Sequence, residues 1–310
     1  MLEGNEGLAA NVLRVLMIGC GDVALRVASL LRDRVRLVGL VRRAQEASRL
    51  RDRGIVPIVA DLDDFRTLAR LSAGAYAVLH FAPPPGEGRD DPRTQKLLAA
   101  LAKGSIPQRF VYISTSGVYG DCAGARIGEA RVRRPQTPRA KRRVAAEDRI
   151  RRWSASRRVC AAILRVPGIY ASTRLPVDRV RQQTPVLAAD DDVYTNHIHA
   201  DDLARATVAA MFRGLPNRAY NVSDDAELKM GAWFDAVADA FKLPRPPRVS
   251  RDEAESRIAP LLLSFMSESR RLSNSRMKRE LRVRLRHATP QSLLDDIARR
   301  DPRRQLALAL

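Results

Sequence analysis

The sequence predicts an α/β protein built on a doubly wound parallel sheet, with a smaller C-terminal subdomain that covers the substrate. Three observations carry this prediction. Short β-branched apolar runs recur along the first half of the chain, and amphipathic segments separate them. Such runs suit strands buried on both faces, as in a parallel sheet between two helix layers. A glycine-containing turn follows the first run, as is typical of this fold class.

The predicted strands follow one another at the spacing of βαβ units. They are LRVLMIG (13–19), VRLVGLV (35–41), VPIVA (56–60), AYAVLHFA (75–82) and RFVYIST (109–115). Right-handed crossovers join parallel strands, so the carboxyl ends of all five meet at one edge of the sheet. Ligands of doubly wound sheets bind at that edge. We therefore expect the functional residues in the loops that follow these strands.

Composition narrows the function classes. The chain has 310 residues, 45% of them hydrophobic and 29% charged, which is ordinary for a globular protein and excludes a fibrous or disordered one. The formal net charge of +20 is high, but only six of the 55 basic residues are lysines, and arginines occur in every segment. Aromatic residues make up 5%, and no stacking motif interleaves the arginines. We expect no nucleic-acid binding as the main function, although a scaffold for polyanions remains a third interpretation.

The cysteines and the N-terminus indicate where the protein acts. Cys20, Cys122 and Cys160 lie far apart, so neither a disulfide framework nor a thiolate metal site is expected, and a reducing compartment fits. Acidic residues precede the first apolar stretch, which runs into glycines instead of a cleavage site, so we expect no signal peptide. No apolar run approaches the ~18 to 20 residues that span a bilayer. We expect a cytoplasmic protein that does not bind membranes.

The turn GCGDVA after the first strand predicts a dinucleotide site. Gly19, Gly21 and Ala24 form a GxGxxA pattern that opens a helix. Glycines permit close backbone approach, and the free N–H groups at the helix start can bind a pyrophosphate. The alternative is a plain tight turn between strand and helix. Asp22 is the awkward residue, because its carboxylate would repel a phosphate unless it points away.

The next two loops bear on the cofactor. An NAD site usually has an acidic residue after the second strand, for the ribose 2′-hydroxyl, but this chain has Arg42 and Arg43, which suit a 2′-phosphate. We therefore predict that NADP is preferred over NAD. Asp61, after the third strand, has two equal interpretations: a contact to the adenine amine, or a helix N-cap. His80, inside the fourth strand, is expected to be a core histidine.

The stretch YISTSGVYGD (112–121) resembles the extended short-chain dehydrogenase/reductases, the family of nucleotide-sugar epimerases and dehydratases. Three later stretches are similar to family segments in the same order: LRVPGIYA (164–171), NHIHADDLARA (196–206) and YNVSDD (220–225). The resemblance implies a Rossmann fold. It also implies that the histidines and acids of 196–206 are structural, with an acid capping the next helix, so no metal site is expected.

The resemblance implies an active site in which one residue is missing. The family uses a tyrosine as acid/base, a lysine four residues later that lowers its pKa and holds the nicotinamide ribose, and a Ser or Thr that binds the substrate oxygen. Counting along the chain places these positions at Thr137, Lys141 and Thr115. Lys141 and Thr115 are thus the candidate catalytic residues, and Lys141 also a cofactor contact. A threonine at the tyrosine position resembles the atypical branch, and Tyr119 or Tyr170 could donate the proton instead.

These observations predict a dinucleotide-binding domain at 1–170 and a mostly substrate-binding subdomain at 171–310, with 195–225 returning to the sheet. The favoured function is an NAD(P)-binding protein that acts as an NADP-dependent oxidoreductase or epimerase with altered acid/base residues. The alternative is a non-catalytic NADP(H) sensor or partner-binding module. The substrate is an unidentified small molecule. The loop-rich segment 172–195 is predicted to cover the reactive end of the cofactor, and its Arg174, Arg179 and Arg181 leave an anionic substrate open. The apolar C-terminal tail leaves a homodimer open.

Overall fold

A computed structural model describes residues 12–72 and 74–299. The outer ends of both predicted domains, and the apolar tail that left a homodimer open, lie outside the described residues. The strands are β1 (Arg14–Ile18), β2 (Arg36–Val41), β3 (Val56–Val59), β4 (Ala77–His80), β5 (Arg109–Thr115), β6 (Arg126–Ile127), β7 (Cys160–Val166), β8 (Gly168–Tyr170), β9 (Val186–Leu187), β10 (Tyr194–Thr195), β11 (His197–His199), β12 (Arg218–Asn221), β13 (Leu228–Lys229), β14 (Arg248–Val249) and β15 (Arg271–Leu272). The α-helices are α1 (Asp22–Leu31), α2 (Ala47–Arg51), α3 (Pro92–Lys103), α4 (Pro138–Arg157), α5 (Val177–Arg181), α6 (Ala200–Arg213), α7 (Met230–Ala240), α8 (Arg251–Arg257), α9 (Pro260–Leu263), α10 (Ser275–Glu280) and α11 (Gln291–Arg299).

Seven parallel strands form the central sheet, in the order β12-β7-β5-β4-β1-β2-β3. The order reverses beside β1, which pairs with β2 on one side and β4 on the other. This arrangement confirms the predicted fold class. β12 lies at one edge, next to β7, so the chain returns to the sheet after the segment that follows β7.

Two hydrophobic layers cover the sheet, because neighbouring residues of each strand point to opposite faces. In β1, Val15 and Met17 belong to one cluster, together with apolar residues of α1 and α6. Leu16 and Ile18 belong to the other cluster, with residues of α3 and α4. Each of these four β1 side chains is at most 2% exposed. The near-continuous apolar strands of the sequence are thus explained by burial on both faces.

A third hydrophobic cluster lies in the C-terminal region, among α5, β9, α7, α8 and α11. Trp233 and Phe234 of α7 are buried in it. Short strand pairs join this region to the rest: β8 with β11, and β6 with β15. Among the described residues, no helix has both the length and the apolar character needed to cross a bilayer.

Candidate functional site

A first cavity of about 490 Å³ lies at the carboxyl edge of the sheet, where the strand order reverses. Five of the residues predicted to bind the cofactor line it: Gly19, Gly21, Ala24, Arg42 and Asp61. This is the position at which doubly wound sheets bind their ligands. The structure therefore brings the glycine turn, the loop after β2 and the loop after β3 together around one space.

The two glycines of the turn serve different purposes. Gly19 has φ +88°, and a Cβ there would lie 2.7 Å from the backbone nitrogen of Ala82, so only glycine lets the turn pass so close to the loop after β4. Gly21 precedes the first residue of α1 and offers no side-chain cap. A Cβ on Gly21 would meet nothing within 4 Å. The first N–H groups of α1 thus begin at the cavity wall, with open space at Gly21, as an anion site requires.

Asp22 does not stand as an isolated negative charge at this turn. Its carboxylate accepts a hydrogen bond from Nε of Arg26 at 3.0 Å and another from Nη1 of Arg174 at 3.3 Å. Arg26 also pairs with Asp201, at the start of α6. Two guanidinium groups therefore offset the carboxylate that seemed incompatible with a bound phosphate.

The arginines after β2 separate into two roles. Arg42 lines the first cavity. Arg43 lies outside its lining and donates to Glu46 at 3.0 Å, and this hydrogen bond lowers the pKa of that exposed carboxyl. Arg49 of α2 also lines the cavity and donates to the carbonyl of Cys20 at 3.3 Å. Sequence reasoning missed Arg49; its position seven residues after Arg42, on the helix that follows β2, was the available signal.

Asp61 is not the helix N-cap of its second predicted interpretation, because the helix that follows begins at Phe65. Its Oδ1 accepts the N–H of Asp63 at 2.9 Å in the turn before that helix, and its contact to the adenine amine stays a prediction. The residue also lines the first cavity. His80 is 1% exposed and its Nε2 lies 2.9 Å from the Thr94 hydroxyl, so it is a core histidine; burial lowers its pKa to about 3.

A second cavity of about 380 Å³ lies between the carboxyl end of β5 and the C-terminal region. Thr115 lines it, and its Oγ1 accepts the N–H of Gly117 at 3.2 Å, which leaves the hydroxyl proton free to be donated. Arg174 lines both cavities. The two spaces are therefore adjoining, with the glycine turn on one side and Thr115 on the other.

Thr137 and Lys141 lie outside the residues that line either cavity. Thr137 is the N-cap of α4, and its hydroxyl accepts the N–H of Ala140 at 3.2 Å. Lys141 is half-buried, and its ammonium has no hydrogen-bonding or ionic partner among the described residues. The residue of this segment that lines the second cavity is Arg139. Four residues later, Arg143 donates to the hydroxyl of Tyr112 at 3.0 Å and to the carbonyl of Ile113 at 2.8 Å.

The helix phase explains this placement. Residues two apart on a helix differ in direction by about 200°, so Arg139 and Lys141 point to nearly opposite sides. Arg139 and Arg143 share a face and have the same four-residue spacing as Thr137 and Lys141. The sequence analysis did not consider the pair Arg139 and Arg143, although these residues have the same spacing as Thr137 and Lys141.

The two tyrosines considered as alternative proton donors have different surroundings. Tyr119 is fully buried; its hydroxyl donates to Asn221 at 2.6 Å and accepts from Arg165 at 3.0 Å. Tyr170 is also buried, at 1% exposure, although it lines the second cavity; its buried hydroxyl has no hydrogen-bond partner among the described residues. Burial, and then the charge of Asp224, raises the pKa of Tyr170. Burial also raises the pKa of Asp224 to about 8.

A buried polar network supports Thr115 from behind. Glu147 of α4 is 0% exposed and accepts hydrogen bonds from Ser114 at 2.7 Å and from Nη2 of Arg165 at 2.8 Å. Arg165, 3% exposed, also donates its Nε to Glu147 at 3.2 Å. Arg133 adds an ion pair to the same carboxylate at 3.3 Å. This network fixes the carboxyl end of β5 relative to α4, and nothing in the sequence pattern pointed to it.

The cap of α6 is His199, and the expectation that an acid caps this helix was wrong. His199 Nδ1 accepts the N–H of Asp201 at 3.2 Å, at the first turn of α6. Its ring stacks on His287 with centroids 3.7 Å apart, and their ring nitrogens lie near the Asp201 carboxylate. Arg26 also binds Asp201. These contacts tie the cluster to the start of α6.

Comparisons with known proteins agree with the geometry of the first cavity. A family model described as NAD(P)H-binding matches residues 19–213, from the first glycine of the turn to the end of α6. The chain belongs to this NAD(P)H-binding family. This membership accounts for the glycine turn, and the predicted resemblance to the epimerase/dehydratase-like short-chain dehydrogenase/reductases is confirmed.

Individual relatives of this NAD(P)H-binding chain are distant. It is 27% identical over 189 residues to GDP-6-deoxy-D-mannose reductase of Pseudomonas aeruginosa, a match that covers 53% of this chain and 62% of that enzyme's length. A functionally unknown conserved protein from Silicibacter pomeroyi superposes with a TM-score of 0.74 at 27% identity, covering 92% of this chain and 98% of that one. UDP-glucuronic acid 4-epimerase from Bacillus cereus, in complex with NAD, gives 0.73 at 16% identity, covering 96% and 100%. The last likeness shows the fold alone.

Proposed function

We propose that this chain is an NADP-preferring oxidoreductase or epimerase-like enzyme whose acid/base residues differ from those of its relatives. The observation that carries the proposal is the adjacency of the two cavities, joined at Arg174, with the glycine turn in one and Thr115 in the other. A dinucleotide bound at the turn would have Thr115 near the far end of the same cleft. The reductase among the distant relatives supports an oxidoreductase over a plain scaffold.

The residues present fit a dinucleotide with a 2′-phosphate. Gly19, Gly21 and Ala24 would hold the pyrophosphate at the start of α1, where unpaired N–H groups favour an anion. Arg42 and Arg49 would bind the 2′-phosphate, because both guanidinium groups line the first cavity. Glu46, one of the acids that line this cavity, is paired with Arg43. NADP is therefore favoured over NAD.

Bound NADP(H) would supply hydride transfer, and the chain would supply orientation and the proton. We propose that the Thr115 hydroxyl donates a hydrogen bond to the substrate oxygen. We propose that Tyr170, which also lines this cavity, exchanges the proton, although its hydroxyl is buried near the charge of Asp224. The predicted role of Lys141 at the nicotinamide ribose is retained as a hypothesis, with its position outside both lining sets counting against it.

The second candidate is a non-catalytic NADP(H) sensor. It is favoured by Arg139, which brings a permanent cation to the second cavity where the family pattern has an acid/base tyrosine nearby. A guanidinium does not release its proton at neutral pH. The sensor would bind NADP(H) as tightly as the enzyme but would consume none of it with any carbonyl or nucleotide-sugar substrate.

Calorimetric titration with NADP(H) and NAD(H) tests the cofactor site. Arg42→Ala should weaken NADP(H) at least about tenfold, since a charge-assisted contact is lost, and should leave NAD(H) nearly unchanged. Gly21→Asp should abolish both, because the open space tolerates the side chain while its charge repels the pyrophosphate. Arg51→Ala is the matched control, because Arg51 lies on the same helix as Arg49 and outside the lining of the first cavity, and it should bind both cofactors like wild type.

Two outcomes would contradict the proposal. Failure of the wild type to bind either dinucleotide would exclude both candidate functions, the enzyme and the sensor. Equal weakening of NADP(H) and NAD(H) by Arg42→Ala would remove the preference for NADP. Lys141→Ala is titrated alongside, and weakened binding of both cofactors would support its predicted ribose contact.

Location and assembly follow as smaller proposals. A cytoplasmic location fits the three cysteines, which are all free thiols in the structure. Cell fractionation tests it. The homodimer is tested by light scattering of the purified chain over a range of concentrations.

A further inference from the structure

The second cavity has more positive charge than its own carboxylate can offset. Three guanidinium groups line it, those of Arg139, Arg179 and Arg270, and Glu268 is the acid that lines it with them. Arg174 adds a fourth, which is paired with Asp22. A buried charge is costly unless a partner of opposite sign and hydrogen bonds compensate it. The surplus therefore calls for an anion from outside the chain.

Arg179 is the clearest case. It lies on α5, and its guanidinium group sits over the ring of Phe234, 4.4 Å from the centroid. Its Nε and Nη2 atoms are buried and have no hydrogen-bond partner among the described residues. Burial lowers its pKa, with no acid close enough to offset the effect. Two donors are thus fixed in direction by the aromatic ring and left unpaired.

Arg270 and Arg139 extend this positive surface. Arg270 is 8% exposed; its Nη1 donates to the carbonyl of Gly120 at 2.7 Å and its Nη2 to Glu268 at 2.9 Å, but its Nε is buried and unpaired. Arg139 sits over the ring of Phe265 at 4.2 Å. Arg139 is also in the first turn of α4, where the helix dipole favours negative charge.

We propose that the substrate carries a compact anionic group, a carboxylate or a phosphate, which binds between Arg139 and Arg179 beside Thr115. The inference rests on the proposed function, since it places this anion at the reactive end of the same cleft. Guanidinium groups bind both anions through paired N–H donors. The apolar wall formed by Trp233, Phe234 and Phe265 favours a small apolar body attached to that anion.

Isothermal titration with inorganic phosphate and, separately, with malonate tests the subsite at constant ionic strength. Arg179→Met removes the charge and keeps an unbranched apolar side chain beside Phe234, so it should fold and bind the better of the two probes at least about tenfold more weakly. Arg139→Met should act in the same direction. Arg181→Met is the matched control, because Arg181 lies on the same helix, pairs with Asp178 at 3.1 Å and is outside the lining of the cavity.

The cofactor site is separated from the subsite by a crossed measurement. Arg42→Ala should leave probe binding unchanged, and Arg179→Met should leave the affinity for NADP(H) within about twofold. Tighter binding of phosphate than of malonate indicates a phosphate ester as substrate, and tighter binding of malonate indicates a carboxylic acid. Either result supports the subsite. Wild-type affinity of Arg179→Met for both probes, or loss of probe binding in Arg42→Ala, would overturn it. A wild type that does not bind NADP(H) would instead overturn the proposed function, and the probe titrations would still test the anion subsite.

Discussion

Replacing Glu147 by glutamine removes the buried carboxylate that pairs with Arg165 in the interior. Arg165 is 3% exposed and donates two hydrogen bonds to Glu147, at 2.8 and 3.2 Å. Glutamine keeps an acceptor oxygen but leaves a buried cation without its counter-ion. Breaking one partner of a buried pair costs about 3 to 5 kcal/mol. We expect Glu147→Gln to lower the free energy of unfolding by about 3 kcal/mol, and Glu147→Ala by about 5 kcal/mol.

Urea unfolding followed by tryptophan fluorescence measures this loss. The matched control is Asp148→Asn, which removes a half-exposed partner of Arg133 at 2.8 Å and should cost under about 1 kcal/mol. The double variant Glu147→Leu with Arg165→Met removes both charges and should recover most of the lost stability. A loss of less than about 1 kcal/mol in Glu147→Gln, or a double variant as unstable as the single one, would refute the reasoning.

Three further predictions concern the cleft. The folded pKa of Asp224, about 8, lies above its unfolded value, so the wild-type protein loses stability as pH rises from about 4 to 8. Asp224→Asn should therefore stabilise the protein, and increasingly so across this range. A difference in melting temperature between variant and wild type that stays constant from about pH 4 to 8 would contradict the prediction. Gly19→Ala should lower the free energy of unfolding by about 1 to 3 kcal/mol and abolish NADP(H) binding, since its Cβ would lie 2.7 Å from a backbone nitrogen at φ +88°. The control is Gly86→Ala, whose Cβ would meet nothing within 4 Å, and it should change neither stability nor binding in the same melting and titration assays. Tyr170→Phe should leave the melting temperature unchanged and abolish turnover. Tyr119→Phe should lower the free energy of unfolding by about 1 to 3 kcal/mol, since the hydrogen bonds of its hydroxyl to Asn221 and Arg165 are lost. Unchanged turnover in Tyr170→Phe would exclude Tyr170 as the proton donor.

The central sheet could be predicted from the sequence because strands buried on both faces consist of short, nearly continuous apolar runs. Each of the five predicted strands coincides with a strand of the sheet, although the ends differ by a few residues. The glycine turn was equally accessible, since Gly19, Gly21 and Ala24 act through positions adjacent in the chain. Local patterns of this kind need no knowledge of which distant residues come together.

The second cavity could not be predicted in the same way, because its wall is assembled from distant segments. Glu268 and Arg270 reach it through the pairing of β15 with β6, and the carbonyl that Arg270 binds belongs to Gly120. In a chain with 55 basic residues, no single arginine stands out by composition. What distinguishes Arg179 is that its buried donors lack partners, and that property exists only in the folded chain.

The start of α4 shows how one structural detail redirects the functional argument. The hydroxyl of Thr137 caps the helix, so the residue occupies the N-cap position and contributes its side chain to the backbone. This fixes the phase of the helix and places Arg139 at the second cavity with Thr115. The cleft therefore presents a permanent cation close to the position where relatives in this family are expected to have a titratable phenol. A cation cannot abstract a proton, but it can hold an anionic substrate, so we propose that Tyr170 carries the acid/base chemistry and that the arginines set the specificity.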